Sequence, residues 1–89
     1  MAKKRRKLNK DFERKIYSSK KNVELVLAKI YDIDDEDIQK EYISGFNRVV
    51  YLYDQLKDDY EESGFNDNSE DLLTDYKNAL SLFDSEFEI

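Results

Sequence analysis

Carboxylates are the reactive side chains this chain holds in quantity: it has 21 Asp and Glu, no histidine and no cysteine. Without histidine the commonest general base and the commonest transition-metal ligand are missing. Without cysteine neither a disulfide framework nor a thiolate metal site can form. Oxygen chemistry remains. Asp32, Asp34 and Glu36 have the alternating spacing that opens a calcium loop. The sixth position of that loop is Asp37, where a glycine is needed, and the twelfth is Ile43, where a bidentate carboxylate is needed. A second run, Asp67, Ser69 and Asp71, meets Leu72 and Asn78 at the same two positions. Both runs fail as calcium loops and read better as helix-capping acids. Paired carboxylates do acid–base work only in a cleft that excludes water and separates their pKa values, and a chain of 89 residues has little core in which to build one. There is no glycine-rich phosphate loop and no nucleophile–base pair. The expectation is a non-enzyme with no cofactor and no metal.

The remaining chemistry is docking, and the charges are sorted for it. Residues 1–21 carry ten Lys and Arg against Asp11 and Glu13, whereas residues 22–89 carry five against nineteen acids. A basic head on an acidic body implies separate roles for the two regions, or contact between them. The acidic body, with tyrosines interspersed, suits a basic protein surface, including the nucleic-acid groove of another protein. The residues expected to carry that contact are Asp54, Asp58, Asp59, Glu61 and Glu62, together with Asp71 and Asp75. The plain alternative is that these acids are a solvated helical surface. The basic run Lys3, Lys4, Arg5, Arg6 and Lys7 supports a different reading, nucleic-acid binding through phosphate contacts. Such a run also looks the same when it is merely solvated.

Two resemblances bear on function. In character, though without a matching motif, the acidic helical body resembles small acidic inhibitors encoded by phages. The stretch Ala79-Leu80-Ser81-Leu82-Phe83 resembles the pentapeptide by which many bacterial replication proteins engage the sliding clamp, Gln-Leu-Ser/Asp-Leu-Phe. Leu80 to Phe83 match and Ala79 departs at the glutamine. That resemblance implies an extended ligand, whereas Leu80 and Phe83 at helical spacing with Tyr76 imply a core face.

The elements that position these residues are helical. There is no proline, the two glycines are Gly45 and Gly64, and apolar–polar alternation is nowhere sustained. Phe12, Ile16, Val23, Leu27 and Ile30 recur at three- and four-residue steps, with Lys20 at the one missing position and Asn9 as cap, which predicts a helix over 10–31. Ser18 to Asn22 is its weak point. A second helix over 34–63 is capped by Asp34, carries Ile38, Tyr42, Val49, Leu52 and Leu56 with Phe46, Val50, Tyr53 and Tyr60 widening the stripe on one side, and stops at Gly64. It would be roughly 45 Å long. Gly45 either lets a neighbouring element approach closely or marks a kink. A third helix over 68–84 carries Leu72, Leu73, Tyr76, Leu80, Phe83 and Phe87.

Short connections make the expected fold an all-α, up-down-up antiparallel three-helix bundle with a long central second helix. Residues 1–9 would be a flexible basic tail, 10–85 one helical domain and 86–89 an acidic-hydrophobic tail. No apolar run reaches the ~20 residues of a membrane span, and no apolar segment follows the basic start, so a cytoplasmic protein is expected. The expected function is that of an inhibitor or adaptor that docks its acidic helical surface onto a basic partner such as a nucleic-acid-handling protein. Nucleic-acid binding through the tail and clamp binding through Ala79–Phe83 are the alternatives. A homo-oligomer is a further reading, because the long second helix outreaches the third.

Overall fold

The computed structural model describes residues 7–87. Among them are three α-helices and no strand: α1, Lys10–Tyr31; α2, Glu36–Ser63; and α3, Ser69–Glu86. Lys3, Lys4, Arg5 and Arg6, most of the expected flexible tail, and residues 88–89 lie outside the described residues. The fold extends 54 × 23 × 18 Å.

Helix α2 is the axis. Its core side chains are Tyr42, Phe46, Val49, Tyr53, Leu56 and Tyr60, all buried except the half-buried Tyr42. They alternate steps of four and three residues, the spacing that keeps a straight apolar seam on one side of a helix. The sequence reading puts Ile38 and Leu52 in the central stripe and Phe46, Tyr53 and Tyr60 on its widened side. Ile38 is exposed and Leu52 half-buried, because Phe46, Tyr53 and Tyr60 are the larger apolar surfaces and the helix turns them inward. Each meets another aromatic ring. Phe46 lies 4.8 Å from Phe83, Tyr53 lies 6.2 Å from Tyr76, and Tyr60 lies 5.7 Å from Phe12, all centroid to centroid and all tilted or edge-on.

Capping chemistry places the helix ends and shifts two of the expected ones. Asn9 caps α1, its side chain accepting from Phe12 N–H at 3.0 Å. Asp35, not Asp34, caps α2. It has extended backbone, and its carboxylate accepts from the N–H groups of Asp37 and Ile38 at 2.9 and 3.2 Å, so the helix starts at Glu36 rather than at residue 34. Gly64 ends α2 with φ 71° and ψ −163°, a region essentially reserved for glycine. Helix α3 runs from 69 to 86 rather than from 68 to 84. Asn68 makes no side-chain cap, and the turn is held instead by Ser69 Oγ accepting from Asn66 N–H at 2.9 Å. At the other end Phe87 stacks on Phe83 at 4.9 Å, one turn back, which carries the helix past the expected stop.

Helix α1 runs unbroken through Ser18–Asn22. Ser19 explains this. It is 4% exposed, its hydroxyl donates to Lys15 O at 2.8 Å, and its carbonyl accepts from the Tyr76 hydroxyl at 3.3 Å. The gap in the α1 stripe is therefore filled by Ser19, and Lys20 stays in solvent. Helix α2 packs extensively on both α1 and α3, which meet one another only sparsely.

Gly45 lies under Phe87. A Cβ there would collide with the edge of the Phe87 ring, whose Cζ would lie 2.6 Å away. The position is thus a close approach, and α2 continues through it without a break. Gly45→Ala should therefore destabilise the fold, by displacing Phe87 from Tyr42 and Phe83. In a Phe87→Ala background the same change should stabilise it by about 1 kcal/mol through helix propensity. Urea unfolding of the four proteins of this cycle checks the reversal of sign; two effects of the same sign would refute the contact.

Candidate functional site

Where the N-terminus of α1 meets the C-terminus of α2, one hydroxyl organises the junction. Tyr60 OH accepts from Asn9 N–H at 3.0 Å and donates to Glu13 Oε2 at 2.5 Å. Phe12 packs between Tyr60 and Phe65, with centroids 5.7 and 5.1 Å away. Lys7, the one residue of the basic run among those described, is held against the α2–α3 turn. Its carbonyl accepts from Phe65 N–H at 2.6 Å, and its ammonium lies 6.0 Å from the Phe65 ring centroid. Lys7 thus lies beside the acidic end of α2.

The acids expected to dock separate into three groups. Asp54, Asp58 and Glu62 are exposed at four-residue steps on the side of α2 away from its seam, and the exposed Glu61 flanks them. No basic residue occupies the last turn of α2 to balance the dipole there. Lys57, next to this stripe, reaches Asp58 at 3.9 Å in a solvent-exposed pair of small energetic weight. Asp59 points elsewhere. It is half-buried and accepts from Asn66 Nδ2 at 2.9 Å, which ties the loop to the helix. Asp71 and Asp75 are exposed one turn apart on α3, away from the α2 stripe in the chain, with the exposed Leu82 two turns beyond Asp75.

Tyr51 is the surface residue that sequence reading passes over. It is 61% exposed, and it stands three residues before Asp54 and seven before Asp58, on the same stripe. In Tyr51-Leu52-Tyr53 the apolar spacing already sets Tyr53 on the covered side, and the structure leaves Tyr51 in water.

In the stretch Ala79–Phe83, Ala79 and Phe83 are buried, Leu80 is half-buried, and Ser81 and Leu82 are exposed. To serve as an extended ligand, this turn would have to unwind and draw Phe83 away from Phe46 and Phe87. Among the described residues no helix is long and apolar enough to cross a membrane, and no three carboxylates converge as a metal site would require. No protein-family model, curated protein or solved structure matches the chain, so the functional reading rests on its geometry.

Two tyrosines have hydroxyls shifted chiefly by burial. Burial pushes the Tyr53 hydroxyl above its ordinary pKa of 10.0, and Asp54, Glu24 and Glu61 add to the effect. Burial also raises Tyr76; hydrogen bonds with Ser19 and Asn22 partly offset this, and Asp84 adds to it. A raised folded-state pKa means that these phenols contribute stability fully below about pH 10, and that it is lost as pH climbs through the raised values. Alkaline titration followed by tyrosinate absorbance should show a late component that Tyr53→Phe and Tyr76→Phe each reduce. Independently, Tyr60→Phe removes the partner of Asn9 N–H and Glu13 and should cost about 1 kcal/mol, or a Tm lower by about 4–8 °C. A Tm equal to that of the parent would show that the junction does not depend on this hydroxyl.

Proposed function

We propose that this is a small, non-enzymatic protein that acts in the cytoplasm as an inhibitor or adaptor, docking the outer stripe of α2 onto a basic surface of a partner such as a nucleic-acid-handling protein. The supporting observation is the stripe itself: the exposed ring of Tyr51 continues into Asp54, Asp58, Glu61 and Glu62 with no cation in the closing turn of the helix. Acids at a helix C-terminus oppose the helix dipole. They therefore do nothing for the helix, and a cationic partner would relieve the conflict. The charges would speed encounter and select the partner, and the tyrosine would contribute the anchoring contact.

The ring contacts Phe12–Tyr60 and Tyr42–Phe87 join the first turns of one helix to the end of its neighbour. They support an up-down-up arrangement, in which α2 backs onto both companions and keeps its outer stripe exposed. The nucleic-acid reading would bring phosphate close to Lys7 beside the acidic end of α2, which repels it. The protein-docking reading has no such conflict.

A pull-down from host lysate at low and high salt, with and without nuclease, tests the proposal. Wild-type protein should capture a nuclease-resistant, salt-sensitive partner. Asp58→Lys with Glu62→Lys should abolish capture, and the charge-neutral Tyr51→Ala should weaken it by about tenfold or more. Capture that survives the charge reversal, or that vanishes with nuclease, would overturn the reading.

A further inference from the structure

The sparse contact between α1 and α3 leaves a groove of opposite character to the α2 stripe. Two clefts of about 420 and 540 Å³ share Asn22 and Leu80, and so run together as one channel along the two helices. The cleft nearer the start of α1 is lined by Arg14, Lys15 and, from α3, Lys77, and by no carboxylate. In a chain of net charge −6 that local excess is unusual, and only tertiary structure creates it, because Lys77 lies far from the other two in sequence. Ser18, Asn22 and Ser81 add hydrogen-bonding groups. The second cleft presents the apolar side chains of Leu25, Val26, Leu80 and Phe87 alongside the polar Asn22, Lys29 and Asp84. Leu25 is 56% exposed there. Arg14 also approaches Asp11 at 3.8 Å, but both side chains are largely in solvent, so this pair holds the guanidinium only weakly.

We infer that the α1–α3 groove receives a helix from a partner protein, amphipathic and acidic at one end, which completes a four-helix arrangement. In a four-helix bundle each helix packs on two neighbours. Here α1 and α3 both rest on α2 and leave the fourth position open. From Arg14 to Lys29 the groove follows about 22 Å of α1, enough for a helix of about 15 residues. Apolar side chains of the guest lie on Leu25, Val26, Leu80 and Phe87, and its carboxylates meet Arg14, Lys15 and Lys77. A nucleic-acid backbone would match the cations but would leave Leu25, Val26, Leu80 and Phe87 uncovered and would meet Asp84. The α2 stripe of a second copy is too polar to cover those four side chains.

The test uses the full chain and a synthetic 15-residue helical peptide with a leucine stripe and three glutamates at one end, followed by fluorescence anisotropy. A second peptide carries lysines in place of the glutamates, and a single-stranded oligonucleotide provides the phosphate arm. The acidic peptide should bind saturably and the lysine peptide at least tenfold more weakly. Arg14→Glu with Lys77→Glu should reduce binding of the acidic peptide at least tenfold, as should Leu25→Asp. Asp58→Lys with Glu62→Lys should leave it unchanged, which separates this groove from the α2 stripe. All these side chains are exposed, and circular dichroism verifies that the variants fold. No saturable binding of the acidic peptide, equal binding of both peptides, or tighter binding of the oligonucleotide through the same cations would overturn the inference. So would sedimentation showing that a second copy already fills the groove.

Discussion

The fold depends on one seam of rings. Phe46, Tyr53 and Tyr60 stand seven residues apart on α2, and each meets an aromatic partner from a flanking helix. A chain this short buries a modest share of its surface, and aromatic side chains bury more area per residue than any others. Concentrating them along one helix lets a single element organise two companions. The polar ends of the rings are used as well. Tyr60 OH closes the α1 junction, and Tyr76 OH bonds the Ser19 carbonyl across the α1–α3 interface.

That economy shapes the surface. Because α2 supplies nearly all the core contacts of both neighbours, α1 and α3 need not pack closely on each other, and a groove remains between them. The same centrality leaves one long stripe of α2 facing water, and there the acids gather around Tyr51. Charge is therefore segregated by helix face: cations line much of the α1–α3 groove, and carboxylates crowd the outer side of α2. Exposed pairs such as Lys57–Asp58 add little to stability. The pattern consequently has more bearing on what the protein meets than on how it folds.

Much of the architecture was legible in the chain because it depends on local rules. The absence of proline, the three- and four-residue apolar steps, the Asn9 cap and the Gly64 stop belong to single helices, and all of them appear in the structure. The misreadings came where two local choices were nearly equal. Asp34 and Asp35 are both competent caps, and backbone conformation selects Asp35. Lys20 stands at the formal gap in the α1 stripe, yet Ser19 enters the core because Tyr76 supplies a partner for its carbonyl.

By itself, then, the sequence determined three helices, their approximate limits and the separation of a basic head from an acidic body, since periodicity, capping and composition act within a few residues. Tertiary structure alone decided that Asp59 serves the loop and not the acidic stripe, that Gly45 makes room for Phe87, and that Lys77 joins Arg14 and Lys15 in one groove. These outcomes depend on which side of each helix is covered and by what. That is settled by packing large rings between elements distant in sequence, and no local signal encodes it.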